Sequence, residues 1–205
     1  MKTLLLLRHA KSSWKDKKLK DKDRPLKKKG EEGAAYIGKV MLENELVPQV
    51  ILSSSAERAK QTAEIVAKVC KIKEKVTLLD SFYMAEPQAY LDGLKDLPDQ
   101  VERALIVGHN PSLEGLMQVM DGKIEALPTG GLAYLVLQLN KWSDISIDTA
   151  GELIGFWQPA KEEITKEEVD MAKEKKDKKD KKGGKKNKKK QQGLWLLILK
   201  RLLSS

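Results

Sequence analysis

Leu4, Leu5, Leu6 and Leu7 stand unbroken between Thr3 and Arg8. A short apolar run of this kind reads as a buried strand, and in an α/β sheet such a strand delivers its last side chains to the carboxyl edge, where ligands bind. The residues delivered are Arg8 and His9, a fixed cation and an imidazole. By itself the pair also fits a plain strand end, so the rest of the chain has to decide. The run stops at Arg8, short of the roughly 7 to 15 apolar residues of a signal-peptide core, and so belongs to the fold.

Two further segments repeat the arrangement. Val50, Ile51 and Leu52 precede Ser53-Ser54-Ser55-Ala56-Glu57-Arg58, where a helix opens and puts Arg58 in a first turn beside free backbone amides, a place for an anion. Ala104, Leu105 and Ile106 precede Val107-Gly108-His109-Asn110-Pro111-Ser112, so His109 also lies at a strand's carboxyl end. The only two histidines of the chain therefore occupy equivalent positions, with two arginines in like places.

Apolar periodicity predicts strands near 3 to 8, 49 to 53, 75 to 79, 104 to 108, 132 to 139 and 152 to 157. Helices are predicted near 26 to 43, 55 to 70, 87 to 97 and 111 to 120, the first with Ala34, Ile37 and Met41 on one stripe. This alternation implies a three-layer α/β sandwich, a mostly parallel sheet with helices on both faces and a final antiparallel hairpin or edge.

The net charge of +9 over 205 residues is unevenly spread. Residues 159 to 205 hold 16 Lys/Arg against 8 Asp/Glu, and residues 1 to 158 hold 23 against 22. The expected organisation is one domain over 1 to 158, a lysine-rich disordered tail over 159 to 193, and a short apolar segment over 194 to 205. That last segment contains Trp195 and falls short of the about 20 residues that span a bilayer. Within the domain, residues 11 to 29 carry ten basic and three acidic side chains, a positive loop directly after His9. Cys70 is the only cysteine, which excludes an intrachain disulfide and a multi-thiolate metal site and fits a reducing cytoplasm.

Leu7-Arg8-His9-Ala10-Lys11-Ser12-Ser13-Trp14, Asp23-Arg24-Pro25-Leu26 with Gly30, Ser53-Ser54 through Arg58-Ala59-Lys60-Gln61-Thr62-Ala63, and Val107-Gly108-His109-Asn110-Pro111-Ser112-Leu113-Glu114 together resemble the histidine phosphatase superfamily. Within it they resemble the SixA-type phosphohistidine phosphatases. The likeness covers roughly residues 1 to 158. It departs from the wider superfamily at Ala10, where glycine is usual, and at Ser55, where proline is common.

The resemblance implies a phosphoglycerate mutase-like fold and a catalytic set of His9, Arg8, Arg58 and His109. His9 would be the nucleophile, passing through a covalent phosphohistidine, with Arg8, Arg58 and His109 holding the phosphoryl oxygens. Nearby cations disfavour protonation of His9 and keep its lone pair free, and the guanidinium forks suit phosphate better than lysine does. Thr129 and Gly130, in the Pro128-Thr129-Gly130-Gly131 loop, are candidates to line the phosphate pocket, although two glycines before a strand also make a plain turn. No metal or other cofactor is called for. A general acid has no clear match: Asp80 and Glu86 occupy the relevant segment, with Glu86 the candidate, and both also fit surface and helix-entry charges.

An absent acid favours phosphohistidine over phosphate esters, since an imidazole can leave already protonated. The leading expectation is thus a monomeric cytoplasmic phosphatase of a phosphohistidine-bearing partner, such as the phosphotransfer domain of a signalling relay. A phosphatase or mutase of a small phosphorylated metabolite and a phosphate-binding interaction module with vestigial catalysis remain open. The basic tail leaves room for weak nucleic-acid contact or for a peripheral anionic-membrane anchor.

Overall fold

The computed structural model describes residues 1–122 and 126–159. The expectations for the lysine-rich tail and the apolar terminus lie, Pro159 apart, outside the described residues.

The four leucines set the architecture. They fall in β1 (Lys2–Arg8), and each is 0 % exposed. Successive strand side chains point to opposite faces, so Leu4 and Leu6 join one core cluster and Leu5 and Leu7 another. Both faces are therefore buried, and each of the leucines contributes roughly 1.5–3 kcal/mol of gross burial energy.

β1 lies inside a six-stranded sheet in the order β3-β2-β4-β1-β5-β6. The other strands are β2 (Val50–Ser54), β3 (Thr77–Leu79), β4 (Arg103–Gly108), β5 (Leu132–Leu137) and β6 (Gly151–Trp157). β1 pairs parallel with β4, and β2 pairs parallel with both β4 and β3. β5 runs antiparallel to β1 and pairs antiparallel with β6, with a register shift between Tyr134 and Leu135.

One face is covered by α1 (Lys28–Glu43) and α2 (Glu57–Val69), which bury Ile37, Met41, Ala59, Ala63 and Val66. The other is covered by α3 (Pro87–Lys95) and α4 (Ser112–Asp121), which bury Tyr90, Leu91, Leu94, Leu113, Leu116 and Met117. This is the three-layer α/β sandwich of the phosphoglycerate mutase-like kind. Ala34, Ile37 and Met41 are all buried, as their shared stripe requires.

Element boundaries shift where side chains outside the helix compete. α1 starts at Lys28 rather than 26, because Leu26 forms an isolated bridge with Ser12 and its amide donates to Gln61 Oε1 at 2.7 Å. Among the described residues no helix is long and apolar enough to cross a membrane.

Candidate active site

Parallel strands align their carboxyl ends, so residues just past them converge on one edge of the sheet. β1 ends in Arg8 and is followed by His9, the turn after β2 leads into Arg58 on the first turn of α2, and β4 is followed by His109. All four line one cavity of about 480 Å³, together with Tyr83, Met84, Glu86 and Asn110 among others.

The bonds around His9 define its tautomer. Nδ1 lies 2.8 Å from the Ala10 carbonyl oxygen, which can only accept, so the ring proton sits on Nδ1. Nε2 keeps its lone pair and accepts from Arg58 Nε at 3.3 Å. Burial, then the charges of Arg58, Arg8 and Arg24, push the imidazole down to about 4, against the opposing pull of the Ala10 carbonyl. His9 is thus neutral at physiological pH.

His109 is held in the same manner. Its Nε2–H donates to Ser54 Oγ at 2.9 Å and its Nδ1 faces Arg58 Nη2 at 3.5 Å. Burial first, then the neighbouring His9 and Arg58, push it down to about 3. The two rings sit 5.1 Å apart between centroids. Gly108, just before it, leaves room for Tyr90: an added Cβ would stand 2.5 Å from the Tyr90 hydroxyl, which accepts the His109 amide at 3.2 Å.

Arg58 is the hub. Besides its bonds to the histidines it donates to Asp21 twice, to the backbone oxygen at 2.7 Å and to Oδ2 at 3.0 Å. Asp21 also accepts from Arg24 Nη1 at 2.6 Å and from the Tyr83 hydroxyl at 3.1 Å. Although its own burial works the other way, the hydrogen bonds from Arg24, Tyr83 and Arg58, with the Arg58 charge, hold its carboxyl below the usual range. Arg8 donates to the Leu127 carbonyl at 3.0 Å, while its buried Nε–H has no partner among the described residues. Burial lowers the Arg8 pKa, opposed by Glu114. An unpartnered buried donor on a cavity wall is costly unless a ligand oxygen takes it.

The remaining candidates fall differently. Thr129 and Gly130 do not line the cavity; the Gly130 amide donates to the Arg8 and His9 carbonyls at 3.2 and 3.1 Å, and its φ of +77° suits the turn. Gly130 thereby braces the backbone of the Arg8-His9 pair. Glu86 lines the cavity as its only carboxylate among the described residues, at the start of α3 with no side-chain capping bond. Asp80 is outside the lining, bonded to Ser55 Oγ and, at 2.7 Å, to Lys22 Nζ. Asp21 and Tyr83 are site residues that no motif in the sequence singled out, and Ser54, although part of the Ser53-Ser54 motif, had no role assigned to it until its bond to His109. Among the described residues no group of three His, Cys, Asp or Glu side chains could hold a metal ion.

A neutral imidazole with an unprotonated Nε2, two guanidinium groups and a second imidazole around one cavity can attack and hold a phosphoryl group. Fold and site thus define a phosphatase. The sequence profile of the histidine phosphatase superfamily (branch 1) matches residues 4–82. An uncharacterized chloroplastic protein of Arabidopsis thaliana is 34 % identical over 151 residues, covering 69 % of each chain. An uncharacterized protein of Mycobacterium tuberculosis is 30 % identical over 164 residues, 75 % of this chain and 99 % of the relative. A crystal structure from Agrobacterium tumefaciens assigned as the phosphohistidine phosphatase SixA superposes with a TM-score of 0.66 at 28 % identity, over 77 % of this chain and 98 % of its own. A SixA complexed with tungstate shares the fold at a TM-score of 0.66 and 19 % identity, over 77 % and 97 % of the two chains. The chain belongs to the histidine phosphatase superfamily, among its SixA-type members.

Proposed function

We propose that the protein removes phosphate from a phosphohistidine on a partner protein, such as the phosphotransfer domain of a signalling relay, with His9 as nucleophile. The observation that carries this reading is the protonation of His9: Nδ1 spends its hydrogen on Ala10, and Nε2 offers a lone pair into a cavity shared with Arg8, Arg58 and His109.

In the first step His9 Nε2 forms a bond to phosphorus as the substrate's N–P bond breaks. The departing imidazole, protonated on its other ring nitrogen, leaves neutral, so no protein acid is needed. In the second step water attacks phosphorus, its proton passes to solvent or to the phosphate released, and the Nε2 lone pair returns to His9. Arg58 must withdraw Nε–H from Nε2 before attack, and a phosphoryl group gives that donor an oxygen instead. Arg8, with its unpartnered Nε–H, supplies a second ready donor. His109 accepts at Nδ1 while the site is free; the phosphoryl dianion favours its protonation, which turns that nitrogen into a donor.

One observation favours a second reading. Glu86 lies on the cavity wall, and a small phosphate ester would need such a carboxyl group as the acid for its alkoxide leaving group. Phosphorus NMR of turnover separates the two. Phosphoramidate and a phosphohistidine peptide should be hydrolysed at least tenfold faster than an alkyl phosphate, unaffected by chelators and by Glu86→Gln. Efficient hydrolysis of a sugar phosphate that collapses in Glu86→Gln would replace the phosphohistidine reading with the metabolite one.

A further inference from the structure

Directly beside the cavity, the loop between β1 and α1 presents a rigid aromatic and four lysines that the chemistry of phosphoryl transfer does not use. Its neck is closed by the Ser12–Leu26 bridge, by the Ser13 amide donating to Pro25 O at 2.8 Å, and by the Lys27 amide donating to Lys11 O at 2.9 Å. Inside it, buried Arg24 donates to Ser13 O at 3.1 Å, Ser12 Oγ at 2.8 Å and Asp21 Oδ1 at 2.6 Å. The Arg24 guanidinium carbon sits 3.2 Å from the centre of the Trp14 ring. Asp21 in turn binds Arg58, so the platform is fastened to the cavity wall through two charged groups.

Trp14 is stacked on Arg24 yet 67 % exposed, an unusual state for a large apolar ring. Leu19, five residues further on, is exposed as well. Lys15, Lys17, Lys18 and Lys20 are all exposed, and their ammonium groups form no ion pair among the described residues, whereas neighbouring Lys22 is taken by Asp80. The only acid in the stretch, Asp16, accepts from the Lys18 amide at 2.9 Å. Unpaired like charges around a pre-ordered aromatic are the makings of an interface. The ring anchors at small entropic cost, and the lysines steer an oppositely charged partner.

We propose that residues 14 to 20 form a docking platform for an acidic segment of the phosphoprotein whose phosphohistidine enters the cavity. This rests on the phosphohistidine reading above. None of these side chains lines the cavity, so a small metabolite held there gains nothing from them. A polypeptide reaching into the cavity has flanks that must pass over its rim, and acidic flanks complement the four lysines.

The test uses two synthetic peptides, each with one histidine phosphorylated by phosphoramidate and flanked by either Glu/Asp or Lys/Arg, and free phosphoramidate as the small substrate. In the full-length protein the acidic peptide should show kcat/KM at least about tenfold above the basic one, the scale of electrostatic steering. The difference should lie in KM and shrink with salt. Lys15→Glu, Lys17→Glu, Lys18→Glu and Lys20→Glu together should reverse the preference and leave phosphoramidate turnover unchanged. Trp14→Ala should raise KM for the acidic peptide with kcat retained.

Fluorescence anisotropy of the unphosphorylated peptides reads docking apart from chemistry. Binding of the acidic peptide without turnover of any phosphoramidate would sink the phosphohistidine reading and keep the platform. Equal binding of both peptides, or a preference that survives the four substitutions, would overturn the platform. So would phosphoramidate turnover lost in the lysine variant, because the loop would then act on the cavity. A single-stranded oligonucleotide held by these lysines, with no flank preference among peptides, would reassign the surface to nucleic acid.

Discussion

The parallel and antiparallel halves of the sheet treat the same edge differently. Past the carboxyl ends of β1, β2 and β4 lie Arg8, His9, Arg58 and His109, all on the cavity wall; β5 and β6 contribute no lining residue among those described. The antiparallel β5 arrives at this edge with its amino end, pairing Leu132 with Leu7. What it brings is backbone: the Gly130 amide bonds the Arg8 and His9 carbonyls, Gly131 O accepts the Arg8 amide at 3.0 Å, and Leu127 O accepts the Arg8 guanidinium. Aligned strand ends gather side chains, while an opposed strand fixes the main chain that carries them.

Substitutions should therefore sort by half. His9→Ala is expected to reduce turnover to background with the melting temperature preserved, because His9 Nε2 supplies the bonding lone pair and His109 serves the phosphoryl oxygens instead. Arg58→Ala should cost about 10²–10³-fold in kcat, the scale for losing one preorganised charge stabiliser, read by steady-state kinetics. Leu135→Ala, fully buried in β5, should instead lose roughly 2–5 kcal/mol of stability in denaturant titration. Activity per folded molecule should survive that change. A large kcat loss from Leu135→Ala at full folding would break the division of labour.

The smallest effect is in pH. Attack requires His9 unprotonated, so kcat/KM on phosphoramidate, referred to the substrate's own ionisation, should stay level down to about pH 5 and fall through about 4. His9 and His109 lie below their ordinary 6.5, at about 4 and about 3, so the unfolded chain takes up protons first. Acidification from about pH 6.5 downward then removes stability. Stability that rises on acidification over that window would show that burial does not hold these rings neutral.

Much of this was legible in the sequence because its signals are local. Four contiguous leucines require burial on both faces, and each of Arg8, His9, Arg58 and His109 follows closely on an apolar run that places it at the edge. Asp21 was not legible: it lies in a charged loop without periodicity, and its partner Arg58 is 37 residues away. Glu86 was only half legible: it stood as the candidate acid, but Glu-Pro before a helix reads equally as a helix-entry charge. Only the packing of the turn before α3 against the cavity puts it on the wall. Thr129 and Gly130 read as a glycine loop near a phosphate pocket, but the φ of Gly130 and its bonds to Arg8 and His9 belong to the turn that starts β5.

In the proposed reaction His9 Nε2 carries the phosphoryl group between substrate and water. Brief exposure of the full-length protein to phosphoramidate, an alkaline quench and peptide mapping by mass spectrometry test it most directly. One phosphate per chain is expected on His9, stable to alkali, lost in acid, and absent from His9→Ala. Rapid turnover with no labelled His9, or label on His109 in its place, would contradict it.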